Sequence, residues 1–276
     1  MNIATKPVID KPNYAAIKSK QQATWGSGDY SRVGVTLQKT GEDLCEAMDM
    51  RSGQGVLDVA AGNGNVTLAA ARRFCQVVST DYVASLLEDS ARRAEAEGLS
   101  VTYQQADAEA LPFDDASFDN VVSTFGVMFA PDQGRVAEEL IRVCRPGGRI
   151  GMANWTPGGF IGRLFRIIGG YVTPPAGVSS PANWGDEVFL EANFAARTKG
   201  VHANRKQFTF RYHSPEHWLD VFGTYYGPVL KAFEALDEGS AGKLRADILA
   251  LIDEFNQAED GTMVVPSDYL EVVIDR

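Results

Sequence analysis

Cysteine is scarce. Cys45, Cys75 and Cys144 are the three in 276 residues. An odd, unpatterned set is no disulfide framework, and each falls in an apolar context that suits a small buried hydrophobe. Histidine is equally sparse: His202, His213 and His217 form no H-x-x-x-H pair, and no Cys/His spacing has the form of a zinc site. No metal is expected. Long apolar runs are missing too. No segment approaches the length of a membrane span, and MNIATKPVIDKPNYAAIK at the start lacks the apolar run of a signal, so a cytoplasmic protein is expected. Basic clusters are absent as well. With 26 Lys and Arg against 36 Asp and Glu, a net charge of -10 and a pI near 4.9, the chain offers no face for a nucleic acid gripped by its phosphates. Oligomeric state leaves no trace in the composition.

What is present is ordinary globular material, 45% hydrophobic and 22% charged, enough for one large α/β domain or two small ones. Residues 1–12, with two prolines and little periodicity, read as a loose arm. Helices are expected at 13–24 and about 33–50, separated by the turn WGSGDYSR (25–32). A regular alternation then begins. Strands are expected at 55–60, 76–81, 101–107, 118–125 and 149–155. Helices fall at 65–75, 83–97 (ended by Gly98) and 133–144, and RPGG (145–148) is a turn. Such alternation predicts βαβ units and a parallel sheet covered on both faces. Residues 157–200 break the pattern with glycine, proline and aromatics. A strand at 201–212, a long aromatic helical region at 214–236 interrupted at Gly227-Pro228, a helix at 241–258 and a final strand at 263–276 complete the chain. The domain reading is an arm and helical flap over 1–50 and one domain over 51–276, with an insertion at about 157–200.

In an open parallel sheet ligands sit beyond the carboxyl ends of the strands. Three neighbouring strands deliver an aspartate there: Asp58 before the loop Ala60-Ala61-Gly62-Asn63-Gly64-Asn65, Asp81 before Tyr82, and Asp107 before Ala108-Glu109. Ser123 and Phe125 stand at the end of the fourth. The two glycines permit a tight turn and let a ligand approach the backbone, and the helix that follows points free N–H groups at the site. Asp81 is placed to accept from both hydroxyls of a ribose. Asp107 is placed to accept from an exocyclic amine such as that of adenine. Asp58 suits an ammonium group. Read alone, Asp81 is equally a helix cap and Asp107 a loop acid.

A dinucleotide site wants G-x-G-x-x-G, but the third place holds Thr67, and a carboxylate under a pyrophosphate would repel it. A cationic, phosphate-free ligand fits Asp58 better. D-V-A-A-G-N-G (58–64) resembles the acidic glycine loop of class I S-adenosylmethionine-dependent methyltransferases. Asp81 matches that family's strand-two acid. Q-A-D-A-E-A-L-P-F (105–113), D-N-V-V-S-T-F-G-V-M-F (119–129) and E-L-I-R-V-C-R-P-G-G-R-I (139–150) resemble the corresponding segments of its ubiquinone/menaquinone biosynthesis subgroup. The resemblance covers about 50–155 and fades after Trp155. It implies a Rossmann-like, doubly wound, seven-stranded, mostly parallel sheet with an antiparallel last strand, which suits 263–276. It also implies S-adenosylmethionine as cofactor and a small-molecule acceptor.

Two other function classes remain open: an NAD(P)-dependent oxidoreductase, and a protein that binds the cofactor without transferring from it. Trp25 and Tyr30, flanking Gly-Ser-Gly-Asp in the flap, are candidates to cover the cofactor, or else pack the flap on the sheet. The aromatics from Phe160 to Tyr226 are mostly ordinary helix core, yet an apolar insertion suits a small hydrophobic acceptor better than a nucleic acid. No residue declares itself a general base. Methyl transfer is an in-line displacement that gains much from alignment alone.

Overall fold

The computed structural model describes residues 12–276; apart from Pro12, the expected arm lies outside them. The chain opens with α1 (Tyr14–Trp25), capped by the Asn13 side chain, which accepts from the Ala16 N–H at 3.1 Å. The single helix expected at 33–50 is in fact broken. A short α2 (Tyr30–Gly34) and one 3₁₀ turn precede α3 (Gln38–Ala47). The break sits where Gly34 meets the glycine loop: a Cβ on Gly34 would lie 2.5 Å from the Asn63 Oδ1, and the Gly34 carbonyl accepts from Asn65 Nδ2 at 2.7 Å.

The alternating region forms β1 (Gly55–Val59), α4 (Asn65–Arg72), β2 (Gln76–Asp81), α5 (Ala84–Ala96), β3 (Thr102–Gln105), β4 (Phe118–Thr124), α6 (Gln133–Val143) and β5 (Cys144–Trp155). The RPGG segment is not a separate turn. It runs inside an irregular start of β5, where the pairing with β4 slips between Phe118 and Asn120 and Gly147 takes φ +82. Helices α7 (Phe160–Tyr171) and α8 (Glu187–Phe194) fill the expected insertion. After β6 (Gly200–Tyr212), a second helical stretch follows: α9 (Pro215–Tyr225), α10 (Gly227–Glu234) and α11 (Glu238–Phe255). It leads into β7 (Met263–Asp275).

The seven strands are ordered β3-β2-β1-β4-β5-β7-β6. β1 to β5 are parallel, and β7 runs antiparallel between β5 and β6. The fold is thus the expected α/β, seven-stranded, Rossmann-like sheet. Strand periodicity divides its core. Val56, Val77 and Val122 pack with Leu44, Cys45 and Val66 on the side of α3 and α4. Leu57, Val59 and Val121 join the larger core with Val136 and Leu140 of α6 and the helices beyond β5. α3 packs beside α4 in this layer, so of the segment expected as a flap only α1 and α2 lie outside it. Cys45, Cys75 and Cys144 are free and buried, and among the described residues no helix is long and apolar enough to cross a membrane.

The order β3-β2-β1-β4 places the reversal of strand order between the parallel β1 and β4, and there the backbone is crowded. A Cβ on Gly126 would lie 2.1 Å from the Ala60 carbonyl oxygen, whereas one on Gly158 would meet nothing within 4 Å. Gly126→Ala is expected to lower unfolding free energy by about 1–3 kcal/mol, and Gly158→Ala to change it by less than about 0.5 kcal/mol, as read from urea unfolding of the two variants.

Candidate functional site

A cavity opens over this reversal. It encloses about 1120 Å³ of empty space with its mouth included. Of the residues singled out in the sequence, Trp25, Ala60, Ala61, Gly62, Asn63, Asn65, Asp81, Tyr82, Asp107, Ala108, Glu109 and Phe125 line it. Asp58, Gly64 and Ser123 do not. Asp58 shares strand parity with Val56 and so faces α4, where its Oδ2 accepts from the Thr67 hydroxyl at 2.5 Å. The carboxylate expected to face a ligand's ammonium therefore lies behind the loop, fully buried, with Oδ1 unpartnered. Ser123 is fully buried and accepts from the Val127 N–H at 3.1 Å.

The two glycines have different jobs. Both take positive φ, +56 at Gly62 and +86 at Gly64. A Cβ on Gly62 would point at Tyr30, 3.2 Å from its ring, on the cavity side. One on Gly64 would lie 2.0 Å from Ser90 Oγ of α5, so this glycine lets two helices approach. Two non-glycine residues also adopt left-handed backbone on the cavity floor, Ala60 at φ +52 and Phe125 at φ +59. Phe125 is held there by its N–H to the Ala153 carbonyl at 2.8 Å and by stacking on Trp155, centroids 4.1 Å apart.

Asp81 closes β2 with both oxygens engaged on one side. Oδ2 accepts from the Gly62 N–H and Oδ1 from the Val83 N–H, each at 2.9 Å. It thus tethers the glycine loop and the entrance to α5 at once. An ionised carboxylate offers about four acceptor positions, and Asp81 lines the cavity, so capacity remains toward the ligand side. Burial pushes Asp81 up to about 6, against the pull of those N–H groups. Burial pushes Asp58 up to about 7, opposed by Thr67 and reinforced by Asp81. Nearby, Asn63 Nδ2 is buried without a partner.

At the β3 side the structure adds a residue that the sequence reading missed. Lys18 of α1 reaches Asp107 Oδ2 at 2.5 Å and Glu109 Oε2 at 2.9 Å. Burial works against its charge, but the two acids outweigh that and hold the ammonium above the ordinary lysine value. Gln21 and Gln22 donate to the carbonyls of Phe129 and Tyr82. Positions 18, 21, 22 and 25 share one helix face, so their spacing with Trp25 was the available signal. The opposite wall is apolar: Val33, Leu37, Phe129, Trp155, Ile161, Phe210, Phe222 and Tyr226. Trp25 meets Tyr30, Phe129 and Tyr226 edge-on. Tyr30, pushed up to about 12 by burial, keeps its proton. No histidine lines the cavity, and no cluster of metal-ligating residues occurs among the described residues.

Residues 57–152 match the methyltransferase-domain family. An uncharacterized protein of Mycobacterium tuberculosis is 39% identical over 236 residues, 84% of this chain and 86% of its own. The demethylmenaquinone methyltransferase of Thermus thermophilus is 35% identical over 145 residues, 51% of this chain and 66% of its own. Among solved structures, the YcgJ protein of Bacillus subtilis superposes with a TM-score of 0.61 at 20% identity, covering 86% of this chain and 99% of that one. The fold and the glycine-loop domain together define a methyltransferase. The chain belongs to the class I S-adenosylmethionine-dependent methyltransferases; over most of its length it groups with the mycobacterial proteins.

The buried acids make stability depend on pH with a definite sign. Asp58 is raised from 3.8 to about 7, so the folded state holds a proton that the unfolded chain releases. The Asp58 contribution to stability therefore falls as pH rises from about 4 to about 7 and then levels off. Urea unfolding of Asp58→Asn is expected to lack most of that fall, with the wild-type minus variant difference flat above about pH 8.

Proposed function

We propose that the chain moves the methyl group of S-adenosylmethionine to a small, largely apolar acceptor, and that residues 51–276 form the transferase domain beneath a flap made of α1 and α2. The division of the cavity carries this reading: carboxylates and open amides on the β1–β3 side, aromatic rings on the β4–β6 side. The cofactor fits the first side. Gly62 leaves room where a Cβ would project, Asp81 has acceptor capacity for two ribose hydroxyls, and Asn63 Nδ2 is a buried donor without a partner. The basic side chain that does lie against the loop, Arg93, is committed to Asn63 O and Asn65 Oδ1 and does not line the cavity, so it is not placed to hold a pyrophosphate there.

When bound, the cofactor supplies an electrophilic methyl on a sulfonium. The chain's own residues do the rest by placement. Ala60, Gly62 and Asn63 line the approach from the loop, and Asp81 and Asp107 fix the far end. Phe125, Trp155 and Tyr226 form an apolar wall that excludes water and attracts a cationic centre through ring faces. With no histidine at the cavity, transfer rests on alignment of acceptor and methyl carbon rather than on a strong base. An acidic net charge and an aromatic wall favour a small acceptor over a nucleic acid, and the cytoplasm is the proposed compartment. The demethylmenaquinone methyltransferases that match half the chain are consistent with an apolar acceptor.

The dinucleotide reading is disfavoured at one position: Thr67, in the place of the third glycine, spends its hydroxyl on Asp58 and also meets Ser79 Oγ at 2.9 Å. Asp81→Asn is expected to weaken S-adenosylhomocysteine binding about tenfold to a hundredfold, measured by ligand-induced thermal shift, with Asp107→Asn weakening it less. Unchanged affinity in both variants would refute this placement. Tight binding with no turnover across thiol, amine, phenol and carbon-acid acceptors would favour a cofactor-binding protein without transfer.

A further inference from the structure

We infer that Lys18 is a positioning residue that latches α1 as a strap across the cavity mouth, so that cofactor exchange requires the latch to open. α1 contributes no buried residue, and a helix of 12 residues alone is marginal in water. Its C-terminal turn is held by Trp25 against Tyr30, Phe129 and Tyr226 and by the close approach of Thr24 to Gly227. The rest of the helix is held by side chains reaching three different strand-end loops: Lys18 to Asp107 and Glu109 after β3, Gln21 to the Phe129 carbonyl after β4, and Gln22 to the Tyr82 carbonyl after β2. Lys18, Gln21 and Trp25 all line the cavity, so the strap is part of its wall.

The anchor points are firm while the strap is not. Asp107 Oδ1 accepts from the Glu109 N–H at 2.9 Å, and Glu109 Oε1 from the Asp132 N–H at 2.8 Å. Each acid thus has a backbone donor of its own besides Lys18. Behind the strap, Gly26-Ser27-Gly28 leads to a fixed point. Gly28 takes φ +70, with Tyr225 O 2.8 Å from where its Cβ would be, and the Asp29 N–H donates to Tyr225 O at 3.2 Å. α1 is thus joined through a glycine-bearing link to a point pinned to α9. Lys18 also occupies Asp107 Oδ2, an oxygen needed to receive an adenine amine, so closure and cofactor seating share one carboxylate.

The cofactor part of this inference rests on the reading above; the latch does not. Hydrogen exchange of residues 14–25 in the ligand-free protein tests the latch. Lys18→Met, with Lys18→Gln as a second variant, is expected to speed exchange in α1 about five- to tenfold while α4 stays unchanged. Raising salt from about 0.05 to about 0.5 M, which shortens the Debye length severalfold, should speed α1 exchange in the wild type and leave the variants unaffected. Lys20→Met, an exposed lysine on the same helix, should change nothing. Stopped-flow dissociation of S-adenosylhomocysteine should accelerate about five- to tenfold in Lys18→Met, with a smaller change in affinity because entry is eased too. Unchanged α1 exchange in both Lys18 variants, or an equal effect of Lys20→Met, overturns the latch. If the wild type binds no S-adenosylhomocysteine, the cofactor reading fails while the exchange result still decides the latch.

Discussion

The Asp81 carboxylate is the constraint on which the site depends. It ends β2, yet its two oxygens hold the Gly62 N–H of the loop after β1 and the Val83 N–H at the mouth of α5. Two loops from neighbouring strands therefore take their shape from one side chain. The cost is a buried carboxylate, raised to about 6 by desolvation and offset only by backbone donors. A group in that state is stabilised further by any ligand that brings hydroxyl donors to its remaining lone pairs. The same carboxylate that builds the loop thus also lines the cavity, with lone pairs to spare there.

Around that point the cavity is asymmetric for topological reasons. Asp81 ends β2 and accepts from the Val83 N–H at the entrance to α5, while Asp107, just after β3, accepts from the Glu109 N–H in the loop that runs on to β4. On the β4–β6 side the cavity is lined instead by Ile161 of α7, Phe222 of α9 and Tyr226 at the junction of α9 and α10. The helical stretch between β6 and β7 also helps to close the apolar side, since Tyr226, at the junction of α9 and α10, meets Trp25 and Tyr30, with Phe222 packed behind it.

Much of this was legible in the chain. Alternating apolar runs located the strands, and the acids at three strand ends pointed to one sheet edge. What was not legible depends on tertiary parity and on contacts far apart in sequence. Asp58 looked like a ligand group because of its place in the motif, but strand alternation turns it toward α4 and Thr67. The helix expected at 33–50 carried a continuous apolar stripe, whereas the chain turns through a 3₁₀ segment at Val35–Leu37, just after Gly34 meets Asn63 and Asn65 of the glycine loop, a contact between segments far apart in sequence. Lys18 read as one charge among many, because its partners lie 89 and 91 positions away. RPGG read as a turn, whereas its pairing with β4 draws it into β5.

The most direct measurement is a calorimetric titration of the purified protein with S-adenosylmethionine, S-adenosylhomocysteine and NADH in parallel. Micromolar binding of the first two and none of the third is the predicted result. Binding of NADH alone would contradict the account: it would mean that the loop at 60–65 receives a pyrophosphate, and that Asp81 and Asp107 face something other than a ribose and an adenine.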